Sequence, residues 1–334
     1  MPLKKIGSPD PKYLAATDIL ISDMSNINYD FLLFNRPIIL IANEWLRKNF
    51  PDLGIKTDLD GLGDAILRSI ENPGEFEDQR KYWLKKTIYR PDGNSSKRVT
   101  DVIIKKSGIK DPFVLLIYAK NEVSKVHLSP IFETLKKRKI DVKIIDHFDK
   151  NKYIKFKDRL ICIATHNQVL LNIEYGYKVH INHSVKGQGT TDIENELEIF
   201  KMWKYCPGTN LHITEGETCH WETKIFLGPY SDRAIMAGYP KADTLFRLNT
   251  DINKCSVFSE LNFNPDKLLI TYAPTGKYSY PFKQGASLSN KAISRLKKIS
   301  IENDYNILIK LRSTMSVMNK VVNKFKGALG KQQI

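Results

Sequence analysis

Two stretches of the chain concentrate side chains able to do chemistry. The first is His180-Ile181-Asn182-His183-Ser184-Val185-Lys186-Gly187-Gln188-Gly189. Here an imidazole at a strand end is followed by a glycine-containing loop that carries a lysine. Such an imidazole can act as general base toward a hydroxyl nucleophile, with Lys186 beside developing phosphate charge. The same pattern also suits a loop histidine with no chemical role. A metal site is rejected, because no third ligand stands at a recognisable spacing. The second stretch is Thr17-Asp18-Ile19-Leu20-Ile21-Ser22-Asp23-Met24-Ser25-Asn26, which ends a strand and opens a helix. Phosphates bind where a parallel strand leads into a helix N-terminus. Backbone N–H groups and the Ser25 hydroxyl suit phosphate oxygens there. Asp23 suits a ribose, a polyol or the ordering of the loop. Ser25 or Asn26 acting only as a helix cap is the plain alternative.

Three further loops carry polar side chains after strands. Tyr272-Ala273-Pro274-Thr275 offers Thr275 to a ligand, and Arg312 supplies a fork for phosphate. Gly238-Tyr239-Pro240-Lys241-Ala242-Asp243 reads as a turn, with Asp243 positioned to cap a helix over 244–248.

The elements that must hold these loops alternate between apolar strands and amphipathic helices, the α/β signature. Strands are expected at 18–21, 36–42, 113–118, 142–145, 160–164, 178–181, 211–214, 234–236, 268–272 and 306–311. Helices are expected at 27–34, 62–71, 76–86, 99–106 and 130–138. A further helix carries Leu288, Ala292, Leu296 and Ile299 at helical spacing. Strand–helix–strand spacing implies a parallel sheet with right-handed crossovers. Residues 260–334 hold too few strands for a core of their own, and residues 1–105 share that deficit. The economical arrangement puts both in one sheet, 260–334 giving its first half and 1–105 its second. Residues 110–255 then form a separate Rossmann-like domain.

The chain of 334 residues is 42% apolar and 27% charged, which excludes wholesale disorder. No apolar run reaches the ~18 residues of a membrane span, and no signal peptide is visible. The 4 cysteines form no CxxC pair and read as thiols of a reducing cytosol. The formal net charge is +15. From Pro265 onward there are thirteen basic residues against three acidic ones. That field favours an anionic partner. Residues 315–329 place Met315, Met318, Val321, Val322, Phe325 and Leu329 on one helical side, suited to an anionic membrane face or to packing on the chain's own domain. Nucleic acid is not expected, since no aromatic-rich stacking ribbon accompanies the charge.

Together the loops resemble the CDP-glycerol glycerophosphotransferase family, the teichoic-acid primases and polymerases with related capsule enzymes. The segment 17–31, followed by Asn35-Arg36-Pro37-Ile38-Ile39, resembles a C-domain motif that includes the helix aspartate, here Asp30. Tyr272-Ala273-Pro274-Thr275 resembles the other C-domain signature, Gly238 to Asp243 the close of the N-domain, and His183 to Gly187 its His-Gly loop ending in Lys-Gly.

The resemblance implies a GT-B-like α/β fold, with two Rossmann-like domains whose parallel sheets face across a cleft. It implies transfer of glycerol phosphate from CDP-glycerol, or a related nucleotide-activated polyol, to a lipid-linked anionic polymer acceptor, with release of CMP. His183 and Lys186 would be catalytic. Asp23, Ser25, Asn26, Asp30, Thr275 and Arg312 would hold the donor, and Gly187, Lys241 and Asp243 would support them. No metal or cofactor is implied, and the expected place is the cytoplasmic face of the cell membrane. Three departures from the family stand out. The half-domains come in exchanged order, as in a permutant or a slice across tandem modules. Arg312-Ser313 stands where the family has His-Pro. Asn26 and Ser184 replace a serine and a glycine. Two rival readings remain at this point: a transferase using another nucleotide-activated donor, and an inactive relative that binds nucleotide or anionic polymer.

Overall fold

The computed structural model describes residues 3–6, 10–120, 122–182, 208–274 and 290–310. Its strands are built from runs such as Phe113-Val114-Leu115-Leu116-Ile117, buried at every position. A strand covered on both faces has no polar side to alternate with, so such runs are continuous. Among the described residues all strand pairs are parallel, in two six-stranded sheets.

The first sheet uses β1 (Leu3–Ile6), β2 (Ile19–Ser22), β3 (Ile38–Ile41) and β4 (Ile55–Thr57). The second uses β5 (Phe113–Ile117), β6 (Asp141–Ile145), β7 (Leu160–Ala164), β8 (Tyr177–Ile181), β9 (Leu211–Thr214) and β10 (Ala234–Met236). The chain then returns to the first sheet with β11 (Leu269–Ala273) and β12 (Asn306–Lys310).

Spatial order in the first sheet is β1-β12-β11-β2-β3-β4. Counted from β11, this is the 3-2-1-4-5-6 order of dinucleotide-binding sheets, with its reversal between β11 and β2. One face packs Ile19, Ile21, Ile270 and Tyr272 against Leu62 and Ile66 of the helix Leu62–Glu71 and Ala292, Leu296 and Ile299 of the helix Asn290–Asn303. The other face packs Leu269 and Leu308 against Val257, Phe258 and Leu261. The second sheet runs β10-β9-β8-β7-β5-β6, with its reversal between β5 and β7. It too is covered on both faces. The fold is therefore α/β with two doubly wound, Rossmann-like sheets, as the GT-B class requires.

Two compact units result: residues 1–81 with 251–334, and residues 82–250. The first break comes earlier than the 105 expected. The helix Ser95–Ser107 buries Val99 and Ile103 in the second sheet's core, so the chain from Tyr82 onward belongs there. The helix expected at 130–138 begins at Glu122, with Pro130 in its interior. Among the described residues no helix is long and apolar enough to cross a membrane. The stretch 315–329 lies outside the described residues.

Candidate functional site

At the reversal of the first sheet, Ser22 and Ala273 stand opposite each other at the ends of β2 and β11. Tyr272 pairs with Ile309, so β12 ends at the same edge. The loops leaving three neighbouring strands therefore start side by side, and ligands of open α/β sheets bind at such a carboxyl edge.

The loop after β2 is fixed from within. Asn28 Nδ2 donates to the Asp23 carbonyl at 2.6 Å, and the Ser22 hydroxyl donates to the Ala273 carbonyl at 3.3 Å. Ser25 Oγ accepts from the Ile27 amide at 3.4 Å, a weak cap, and Asn26 makes no side-chain cap bond. Capping thus leaves most of the polar capacity of Ser25 unused. Asp23 is buried, Ser25 half-buried and Asn26 exposed, so the loop rises from core to solvent. Tyr272 lies beneath it. Burial raises its hydroxyl pKa, and the Asp23 carboxylate raises it further. Asp30 is 4% exposed within the helix Ile27–Phe31, so it reaches solvent less than the loop residues do.

The stretch 238–243 differs from expectation. Asp243 does not cap a helix of its own, because it lies inside the helix Pro240–Asp251. Its two carboxylate oxygens accept from the Ser95 and Ser96 amides at 2.8 and 2.7 Å. Those amides open the helix Ser95–Ser107, whose N-cap Asn94 makes no side-chain cap bond. Gly238, at φ +113°, allows the close approach, since a Cβ there would lie 2.8 Å from Ser95 Oγ. Arg98 reinforces the joint through Ala237 O and both oxygens of Asp92. Lys241 occupies the first turn of the same helix and is half-buried.

The second sheet brings together residues that local sequence patterns do not connect. His180 pairs with Ala164 on one side and His212 on the other. The two imidazoles meet edge to face at 5.4 Å, and His180 Nε2 lies 3.1 Å from the Thr165 carbonyl. The Thr165 hydroxyl bonds Ser124 Oγ at 2.7 Å and His166 Nδ1 at 3.0 Å. Along the same edge Thr214 Oγ1 bonds His220 Nδ1 at 3.0 Å.

Burial lowers the pKa of His166 and His220, in the latter with help from Lys224. His212 is pushed down to about 4 by burial and then by Arg233. These three imidazoles are therefore neutral near pH 7 and do not bind phosphate by charge. One signal for the grouping exists: Val-His-Ile in β8 and Leu-His-Ile in β9 share the same alternation. Among the described residues no group of three or more His, Cys, Asp or Glu is placed to hold a metal.

Asp23, Ser25 and Asn26 thus share one loop, while Lys241 and Asp243 lie in the helix Pro240–Asp251 of the second unit. His183, Lys186, Gly187, Thr275 and Arg312 lie outside the described residues.

A family model described as CDP-Glycerol:Poly(glycerophosphate) glycerophosphotransferase matches this chain over residues 11–105 and 118–327. No curated protein and no solved structure matches it.

Proposed function

The chain belongs to the CDP-glycerol:poly(glycerophosphate) glycerophosphotransferase family and is a transferase, and we propose that it builds a cell-surface polymer of teichoic-acid or capsule type. It takes glycerol phosphate from CDP-glycerol, transfers it to a lipid-linked anionic acceptor at the cytoplasmic face of the membrane, and works as a peripheral protein. The first unit binds the donor and the second the acceptor.

The carrying observation is the shared carboxyl edge of β2, β11 and β12 at the reversal of a 3-2-1-4-5-6 sheet. Thr275 and Arg312 follow two of those strands by two residues each, and Asp23, Ser25 and Asn26 follow the third. The Ser25 hydroxyl and Asn26 amide contact the donor phosphates, and Arg312 takes up charge that grows on the leaving CMP. Asp23 orders the loop and meets a polyol or ribose hydroxyl. Asp30 supports the loop from inside the helix, and Lys241, Asp243 and Gly187 support the second unit.

The chemistry is an in-line displacement. An acceptor hydroxyl attacks the phosphorus that bears glycerol, and His183 takes its proton. The new O–P bond forms as the bond to CMP breaks, and CMP leaves with the electron pair. Lys186 stabilises the equatorial oxygens, a task that positioning and charge perform without covalent help.

The test is CMP release by the purified chain, given CDP-glycerol and a glycerophosphate-primed lipid on anionic vesicles, with CDP-ribitol in parallel. CMP should form only with primer. Removing a general base costs about 10²–10⁴ in turnover, so His183→Ala should lose kcat with little change in donor affinity. Ser25→Ala should weaken the donor instead. Folded protein that releases no CMP from either donor overturns the reading, and an unchanged kcat in His183→Ala removes that residue from the mechanism.

A further inference from the structure

The second sheet ends at an edge strand, β6, whose outer side has no strand partner among the described residues. Residues 136–159 around it carry ten basic side chains against four acidic ones. Solvated lysine runs are common, so the number alone decides nothing. Their placement does.

Phe113 and Phe156 stack with ring centroids 4.0 Å apart. Lys143 of β6 lies 5.7 Å from the Phe113 ring, while Lys155 and Arg159 lie 5.1 and 5.2 Å from Phe156. Three cations are thus gathered on one aromatic pair, and none forms an ion pair with a carboxylate among the described residues. Arg159 donates instead to the Asp111 carbonyl at 3.0 Å. Ring faces offset part of the mutual repulsion, and an anion would offset the rest. Lys136, Lys139 and Lys157, on the segments flanking β6, are also exposed, and none of them forms an ion pair among the described residues. Two aliphatic side chains stand exposed at this edge, Ile154 at 49% beside Lys155, and Ile144 at 43% on the opposite face of β6 from Lys143.

We propose that the β6 edge, centred on Lys143, Lys155 and Arg159, is a docking surface for an anionic lipid bilayer. A soluble polyanion would use the cations but gain nothing from Ile144 and Ile154. A lipid interface uses both, its headgroups meeting the charge and its acyl boundary the aliphatic side chains. The inference rests on the reading that transfer takes place at a membrane-held acceptor, and it assigns that reading a surface.

Sedimentation with vesicles of phosphatidylglycerol and phosphatidylcholine tests it, against vesicles of phosphatidylcholine alone. The variant Lys143→Gln/Lys155→Gln/Lys157→Gln removes three exposed charges and disturbs no hydrogen bond among the described residues. A lysine near an anionic surface contributes about fivefold to partitioning, so the variant should bind anionic vesicles roughly a hundredfold less. Its transfer to a water-soluble acceptor should be unchanged. Ile154→Ser should weaken binding without altering its salt dependence. The control Lys105→Gln/Lys106→Gln/Lys110→Gln carries the same change in net charge and should bind like the parent.

Equal losses in control and variant overturn the surface. So does retained vesicle binding in the variant, which leaves peripheral attachment standing by another route. An unaltered chain that ignores anionic vesicles removes both readings. Retention of inorganic polyphosphate by this edge, with vesicles refused, replaces the lipid by a soluble polyanion.

Discussion

Asp243→Ala separates a structural role from a chemical one at the 238–243 stretch. The carboxylate is 5% exposed and accepts two backbone amides at 2.8 and 2.7 Å. Those amides belong to the first turn of the helix Ser95–Ser107, where no helical carbonyl can reach them. Losing a helix cap costs about 0.5–2 kcal/mol, and a hydrogen bond to a charged group is worth about 1.5–3 kcal/mol. Two such bonds sharing one carboxylate are not additive, so alanine should cost about 2–4 kcal/mol. Asparagine keeps one acceptor and turns an N–H toward the other amide, which should cost about half as much.

Urea unfolding followed by circular dichroism reads this directly. A loss of about 3 kcal/mol at a slope near 2 kcal/mol/M moves the midpoint by about 1.5 M. Hydrogen exchange should localise the loss to the Ser95 and Ser96 amides. An alanine variant that keeps its midpoint within about 0.5 kcal/mol but loses CMP release would refute the argument, because the carboxylate would then serve the chemistry.

Two further outcomes follow from the second unit. His212 titrates near 6.5 when unfolded and at about 4 when folded, so its folded form stays neutral while the unfolded form takes a proton. Stability is therefore present above pH 6.5 and falls toward pH 4, by about 2 kcal/mol at pH 5. His212→Phe should flatten that part of the urea-midpoint profile between pH 7.5 and 5, leaving the smaller slope from His166 and His220; an unchanged slope contradicts the buried neutral imidazole. Gly216→Ala should cost about 1–3 kcal/mol, since its Cβ would stand 2.3 Å from the Thr87 carbonyl oxygen, and a melting temperature within a degree or so of the parent refutes that close approach.

Legibility followed the reach of each interaction. Strands buried on both faces announce themselves as apolar runs, which made β5, β7 and β11 readable. The helix Leu62–Glu71 was readable from its periodicity. The edge strand β1 was not: Leu-Lys-Lys-Ile carries no run, and its strand neighbour among the described residues, β12, is about three hundred residues away. Likewise β4 is three residues long with its last alone buried.

The helix expected from Pro130 begins eight residues earlier, at Glu122. In the structure the Ser129 and Thr134 hydroxyls engage the Lys125 and Pro130 carbonyls, and the helix continues through. Asp243 looked like a local cap because its true partners lie 148 and 147 residues distant. The loop 23–26 was readable as a strand-to-helix turn because a strand end, a serine and a helix start are all local. The His180–His212 contact needed the β8–β9 register, which spacing alone does not supply.

The reversal in the first sheet, between β11 and β2, is made of strands that no short connection joins. Ser22 bonds Ala273 across 251 residues, and closing a flexible loop of that length costs about 5 kcal/mol. The equivalent pair in the second unit, β5 and β7, is separated by 47 residues, Phe113 to Leu160, at about 1.5 kcal/mol less. Prior folding of residues 82–250 shortens the first loop, returning about 1 kcal/mol of that difference. Side chains then hold the junction where connectivity cannot. Thr17 and Thr271 hydroxyls meet at 2.6 Å, and Asp18 accepts from the Leu269 amide at 2.9 Å. Both contacts join β2 and β11 ahead of the carboxyl ends from which the loops proposed to hold the donor depart. The geometry of those loops is thus set by long-range pairing, so weakening Thr17–Thr271 should register in donor affinity as well as in stability.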